Sequence, residues 1–286
     1  MAFPLEKQNK QKSQKRQVDF VKQVRPVNRS DLSINKRFNY ENSQYLERLE
    51  NSGGNLHSKY LFFIKKLLSG KKEPFLDVGF GGGRALKILS DEGYVNIYGC
   101  EISSLFLKAA VAKGLKNLTF YKGKNLIYKD NFFRVVGSFT VLEHVEDPTV
   151  FLTEQIRVTK PGGYIIVICP NFLNFFFPTS YRKLNKFYKR LFNIPKILKK
   201  LMSDKYTFEK LELIIRKDFQ SDDDAVNLTN LIDIEKFFSR NNCQIVFSSG
   251  FAISNNFVTR LIESLPIVRY CFPSCFLVAK KNNKKI

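Results

Sequence analysis

The spacing of apolar residues changes repeatedly along this chain, and each change marks an element. Between 56 and 69, Tyr60, Phe63, Ile64, Leu67 and Leu68 recur at intervals of three and four, which predicts an amphipathic helix; 39–51 reads the same way. From residue 74 short apolar runs take over. "PFLDVG" reads as a strand, "GRALKILSDEG" as a helix and "VNIYGCE" as a strand. "SSLFLKAAVAKG" reads as a helix, with Ser103 or Ser104 as its cap and Gly114 closing it. "NLTFYKG" and "FRVVGSFTVL" are strands, "DPTVFLTEQIRVTKPGG" a helix and "GYIIVICP" a strand. Strands alternating with helices of this length predict βαβ units and a parallel sheet, with ligands at the carboxyl ends of its strands. Two later runs, "CQIVFSSGF" and "CFPSCFLVAKK", have no convincing crossover helix between them, so an antiparallel pair at the sheet edge is expected. The predicted fold class is α/β: a doubly wound, mostly parallel seven-stranded sheet with helices on both faces and an antiparallel edge hairpin at the C-terminus.

Other stretches fall outside this pattern. Residues 1–35 lack apolar periodicity, carry "KQNKQKSQKRQ" and read as a disordered basic tail. The core is expected over 36–171, interrupted by 172–228, completed by 229–280 and followed by a basic tail, 281–286. In the interruption Tyr181, Leu184, Phe187, Tyr188, Leu191 and Phe192 form one face. Lys183, Lys186, Lys189 and Arg190 cover much of the rest, and Pro195 is expected to kink or end the helix. Two readings stand: a basic amphipathic lid over 181–200 that touches anionic lipid while covering an acceptor pocket, or a lid packed only on its own domain. Asp222, Asp223 and Asp224 follow, either a rim that binds a sugar or a cation or a solvated loop.

Charge sharpens this division. The net charge is +21, yet residues 1–37 hold 10 basic against 3 acidic side chains, 178–220 hold 12 against 4, and 280–286 hold 4 with no acid. The core is therefore nearly neutral. Basic appendages of this kind suit a polyanion, either nucleic acid or an anionic membrane surface, and are also found as solvated tails. No apolar run approaches the roughly 20 residues of a membrane span. The polar start does not read as a secretory signal. The five cysteines are odd in number and mostly scattered, which points to reduced thiols and a cytoplasmic setting; Cys271 and Cys275 lack the partners of a zinc set.

The candidate chemistry begins at "FLDVGFGGGRALKIL", residues 75–89, which places four of the 15 glycines within five residues. A dinucleotide fingerprint wants G-x-G-x-x-G; Gly79 and Gly81 fit it, but Arg84 occupies its third position. The actual pattern is Asp77-x-Gly79-x-Gly81-x-Gly83, which resembles motif I of the class I S-adenosylmethionine-dependent methyltransferases. Glu101 ends the next strand 24 residues after Asp77, where that family places an acid on the ribose hydroxyls. "SFTVLEHVEDP" (138–148) and "VTKPGGYIIVICPN" (158–171) resemble its fourth- and fifth-strand segments, and the closing strand pair resembles its reversed hairpin. The resemblance implies a Rossmann-like fold, S-adenosyl-L-methionine as cofactor, and cofactor contacts from Asp77, Gly79, Gly81, Gly83, Glu101, Ile102, Asn125 and Thr140. Lys124 stands where many relatives offer an acid to adenine; Asn125 beside it can hydrogen-bond the ring.

Methyl transfer to a hydroxyl needs a base. The chain has two histidines, and His144 lies just past the fourth strand, at the edge where the site is expected. It is the candidate general base, with Glu143 orienting it or serving as an alternative carboxylate; the alternative is that the segment only shapes the turn. The ubiquinone-biosynthesis O-methyltransferases carry a similar Glu-His pair with a further acid upstream that allows a metal. Thr140 stands at that position here, so no metal is predicted. His57 is expected at a helix end or pocket rim. "FTVLEHV" replaces the Asn/Asp-Pro-Pro-aromatic motif of amino-directed nucleic-acid enzymes, and Cys169-Pro170 reverses the Pro-Cys of cytosine-directed ones. An RNA-directed enzyme and a non-catalytic cofactor-binding protein stay as alternatives to a small, lipid-linked or sugar-linked acceptor.

Overall fold

The structure, a computed structural model, describes residues 40–43, 45–47, 55–175, 186–211, 224–250, 265 and 267–283. The basic tail 1–35, residues 181–185, Asp222, Asp223 and the end of the C-terminal tail lie outside these.

Helix α1 (Asn55–Leu67) precedes a βαβ series: β1 (Phe75–Val78), α2 (Arg84–Asp91), β2 (Ile97–Glu101), α3 (Ser104–Ala112), β3 (Leu118–Phe120), β4 (Phe133–Phe139), α4 (Pro148–Val158) and β5 (Thr159–Pro170). Then come α5 (Lys186–Met202), β6 (Glu209–Lys210), β7 (Asn227–Leu228), α6 (Leu231–Arg240), β8 (Cys243–Ser249) and β9 (Ser274–Lys281). Seven strands form one sheet in the order β3-β2-β1-β4-β5-β9-β8. Those from β3 to β5 pair in parallel, whereas β9 is antiparallel to both β5 and β8. The predicted fold class and edge pair are both present.

Strand residues alternate between two apolar layers, as a period of two requires. Phe75, Val135, Ile166 and Val278 face Tyr60, Ile64, Leu86, Leu89 and Ala110, from α1, α2 and α3. Leu76, Val136, Ile165 and Leu277 face Phe151, Leu152, Phe237 and Phe238, from α4 and α6. Local chemistry sets the helix starts. Ser103 caps α3 by accepting from Phe106 N–H at 3.2 Å. Asp147 Oδ1 caps α4 by accepting from Thr149 and Val150 N–H at 2.8 and 3.2 Å, with Pro148 in its first turn. That helix ends at Val158, earlier than the sequence pattern indicated, because Thr159 turns extended and opens β5.

Of the two expectations at Pro195, a kink or an end, the end is corrected: helix α5 continues through it to Met202. A helix-interior proline costs about 3 kcal/mol, so tertiary contacts must outweigh it. Asn193 Nδ2 donates to the carbonyls of Phe172 and Asn174 at 3.2 and 3.0 Å. Ile197 is buried in the layer beneath α6, and Lys200 is buried with its Nζ 2.6 Å from Asp233 Oδ2. This segment thus packs onto the core on one face. Its other face exposes Ile194, Leu198 and Met202 at intervals of four.

Candidate active site

The turn after β1 lies at the carboxyl edge of the sheet, where the topology reverses direction between β1's two neighbours, β2 and β4. Gly79 (φ 74°) and Gly81 (φ 56°) adopt the left-handed backbone that side chains avoid. A Cβ at Gly79 would come within 2.6 Å of Val141 Cγ2, so the turn is pressed against the end of β4. Gly81 N–H donates to Glu101 Oε2 at 2.8 Å, while Ile102 and Ser103 N–H donate to Oε1 at 2.8 and 3.1 Å. Burial raises the pKa of Glu101, and these three donors oppose that shift. A carboxylate offers about four acceptor positions, so this fixed group retains capacity for a hydroxyl. Gly83 stands at the N-terminal cap of α2.

Asp77, the first residue of the motif, is buried, and Tyr60 donates its hydroxyl to Oδ1 at 2.7 Å. Burial pushes its pKa up to about 7, opposed by the Tyr60 hydrogen bond and assisted by the charge of Glu101. The unfolded chain releases this proton near pH 4, so between about pH 4 and 7 the folded state holds a proton that the unfolded state has lost. Stability from this group is full below pH 4 and is lost as pH rises through 7. Asp77→Asn keeps an acceptor for Tyr60 and cannot ionise. Urea unfolding of the cofactor-free proteins should show the variant gaining on the wild type by up to about 4 kcal/mol from pH 4 to 7. A gap that stays constant across that window would remove Asp77 as its cause.

The second wall is the turn after β4. Thr140 has φ 52°, an uncommon conformation for a threonine, and its N–H donates to the Ile168 carbonyl at 2.7 Å. His144 N–H donates back to the Val141 carbonyl at 2.9 Å. Glu143 is buried, with Oε1 3.5 Å from His144 Nε2. The carbonyl of Glu143 accepts from Val226 and Asn227 N–H at 2.8 and 3.1 Å, which docks the segment around β7 against this turn. That docking brings Asp224 to His144, with Oδ2 3.4 Å from Nδ1. Tyr40 joins from the other side, its hydroxyl 3.3 Å from Asp224 Oδ2.

Several of these residues escaped the sequence reading. Tyr60 read only as a core position of α1. Tyr40 lies at the start of 39–51, which read only as a helix, and carried no sign of a role in the site. Asp224 belonged to an acidic run with two open readings, a binding rim or a solvated loop; it is 3% exposed and faces His144. Asn125 is exposed in the loop after β3, a loop held by Tyr121 donating to the Lys124 carbonyl and by Leu126 N–H donating to Glu154. His57 lies against Phe139, ring centroids 5.7 Å apart; burial first, then the charge of Arg84, lowers its pKa to about 4. The cysteines described are all free thiols. Among the described residues no three His, Cys, Asp or Glu side chains converge to hold a metal ion, and no helix is long and apolar enough to cross a membrane.

A sheet of this order, with its glycine turn after β1 and a buried acid ending β2, defines a Rossmann-like domain for an adenosine-bearing cofactor. Comparison with known proteins points the same way. Residues 76–167 match the family model described as a methyltransferase domain. The chain is 34% identical over 108 residues to norajmaline N-methyltransferase of Rauvolfia serpentina, covering 35% of this chain and 37% of that one. It is 25% identical over 154 residues to the ubiquinone biosynthesis O-methyltransferase of Hydrogenovibrio crunogenus, covering 52% and 59%. The matched stretches thus span less than two thirds of these relatives. A solved S-adenosylmethionine-dependent methyltransferase from Mesorhizobium loti shares the fold, with a TM-score of 0.50 at 13% identity over 79% of this chain and 98% of that one. Residues 76–167 thus match a methyltransferase domain, and the fold is that of a solved S-adenosylmethionine-dependent methyltransferase.

Proposed function

We propose that this protein transfers a methyl group to a hydroxyl of a small, lipid-linked or sugar-linked acceptor. The observation that carries this reading is the contact of Gly79 with Val141, which sets the glycine turn directly against the turn bearing Glu143 and His144. When bound, the cofactor supplies an electrophilic methyl group on a sulfonium. The chain's own residues do the rest. Glu101 would accept from the ribose hydroxyls, and Ile102 and Asn125 would border the adenine. The amino end of α2, after Gly83, would receive the cofactor's carboxylate. Asp77 underlies the turn, and Thr140 presents the end of β4 beside it. His144 takes the acceptor's proton, and Glu143 stabilises the charged ring. Alignment of the acceptor supplies much of the rate, about 7–11 kcal/mol in well-oriented reactions.

The exposed row Ile194, Leu198 and Met202 on α5, with Lys199 beside it, supports contact of this lid with an anionic membrane surface, in keeping with the net charge of +21. One experiment tests both statements. Calorimetry with S-adenosylmethionine and NAD is followed by transfer of labelled methyl to lipid, glycan and RNA fractions of the host. The assay is run with and without anionic vesicles, at low and high salt. Binding of the methyl donor alone and label in a lipid or glycan hydroxyl are expected, with vesicle association lost at high salt. Label in RNA would replace this reading by an RNA-directed enzyme. Cofactor binding without transfer to any fraction would make the protein a non-catalytic binder. Vesicle association equal at both salts, or absent, would remove the lipid contact.

A further inference from the structure

His144 Nδ1 lies 3.4 Å from Asp224 Oδ2 and 3.3 Å from the Asp224 carbonyl oxygen. Nδ1 thus faces two acceptors, whereas Nε2 faces one at a longer distance, Glu143 Oε1 at 3.5 Å, and this balance favours the neutral ring with its proton on Nδ1 and its lone pair on Nε2. The Asp224 side chain is 2% exposed, too enclosed to turn into solvent. Tyr40 secures it by donating to the same Oδ2; burial first, then the charge of Asp224, raises the pKa of that phenol well above its ordinary value, so it remains a donor. Tyr40 is itself anchored beside the Glu101 carboxylate, which accepts from Ser103 N–H. Ser103 Oγ donates to the Tyr40 carbonyl at 3.2 Å, and Glu41 accepts from Ser104 and Leu105 N–H at 2.6 and 3.0 Å at the start of α3.

We infer that Asp224 is a positioning residue: it holds His144 in the Nδ1–H tautomer and so makes Nε2 the basic nitrogen. The inference rests on the reading of His144 as the base. As the acceptor oxygen bonds to the methyl carbon, its proton passes to Nε2, and the electron pair of the broken carbon–sulfur bond stays on sulfur. The charged ring then lies between two carboxylates, with Glu143 Oε1 3.5 Å from Nε2. Sequence proximity explains the Glu143 contact; only the fold supplies Asp224.

The test uses the whole chain labelled with ¹⁵N-histidine. With two histidines in the sequence, the ring signals of His144 are assigned by their loss in His144→Gln, and those of His57 serve as an internal reference. At alkaline pH the wild-type ring is expected as Nδ1–H. In Asp224→Asn and Asp224→Ala it should move toward the Nε2–H form that unrestrained imidazole favours. Turnover should fall roughly 100-fold or more, as when a base is left in the wrong tautomer, with cofactor affinity retained. A wild-type ring in the Nε2–H form, or the same tautomer in wild type and both variants, overturns the inference. If His144→Ala abolishes turnover while the tautomer ignores Asp224, the base assignment survives and this one falls. If the tautomer shifts and turnover does not, Asp224 holds the ring as inferred and the base assignment falls.

Discussion

A Gly81→Val variant is expected to lose S-adenosylmethionine binding by roughly 100-fold or more while the sheet stays folded. Gly81 sits at φ 56°, where a β-branched residue is a genuine outlier. Strain of this kind costs about 1–3 kcal/mol and would be relieved by moving the turn. Its N–H also holds Glu101 Oε2 at 2.8 Å, so a displaced turn releases the carboxylate proposed to receive the ribose. The valine methyl groups would in addition occupy the space in which the methionine portion of the cofactor is expected. Calorimetry with S-adenosylmethionine and its demethylated product reads the loss, and thermal unfolding checks that the core survives. Unchanged affinity in a folded variant would sink the proposed placement of the cofactor along this turn.

The second large effect concerns His144. His144→Ala should lower the turnover number by roughly 10²–10⁴, the usual worth of a positioned acid–base group, with cofactor affinity nearly unchanged. The side chain is 16% exposed, placed to reach an acceptor at the rim while packed between Glu143 and Asp224. A purely structural role predicts the reverse pattern. Removing the ring would loosen the docking of 224–228 on the Glu143 turn, so stability or cofactor affinity would fall with turnover intact. Full turnover in the variant would exclude His144 as the base and point to an amine or thiolate acceptor that arrives already deprotonated.

The features legible in the sequence were those decided over a few residues. Asp77, Gly79 and Gly81 announced a turn between a strand and a helix because backbone at positive φ favours glycine. Ser103 and Ser104 announced a helix start because a hydroxyl there satisfies an unpaired N–H, and Ser103 supplies it. Apolar runs containing Phe75-Leu76 and Ile165-Ile166 announced strands, and the fold sends the neighbours to opposite apolar layers because side chains in a strand point to alternate faces. The tertiary structure decided what depends on residues far apart. Pro195 allowed the helix to end on local grounds, yet Asn193, Ile197 and Lys200 find partners outside the helix that carry it on to Met202. Asp224 stands 80 residues from His144 and Tyr40 stands 184 residues from Asp224. No period or spacing relates them: β7 docking on the turn after β4 brings Asp224 to His144, and the start of α3 holds Tyr40 beside them. The sequence by itself determined the elements and the glycine turn. The chemical state of the site, with a buried Asp77 and an imidazole oriented by a distant carboxylate, was decided only by burial and by contacts that folding creates.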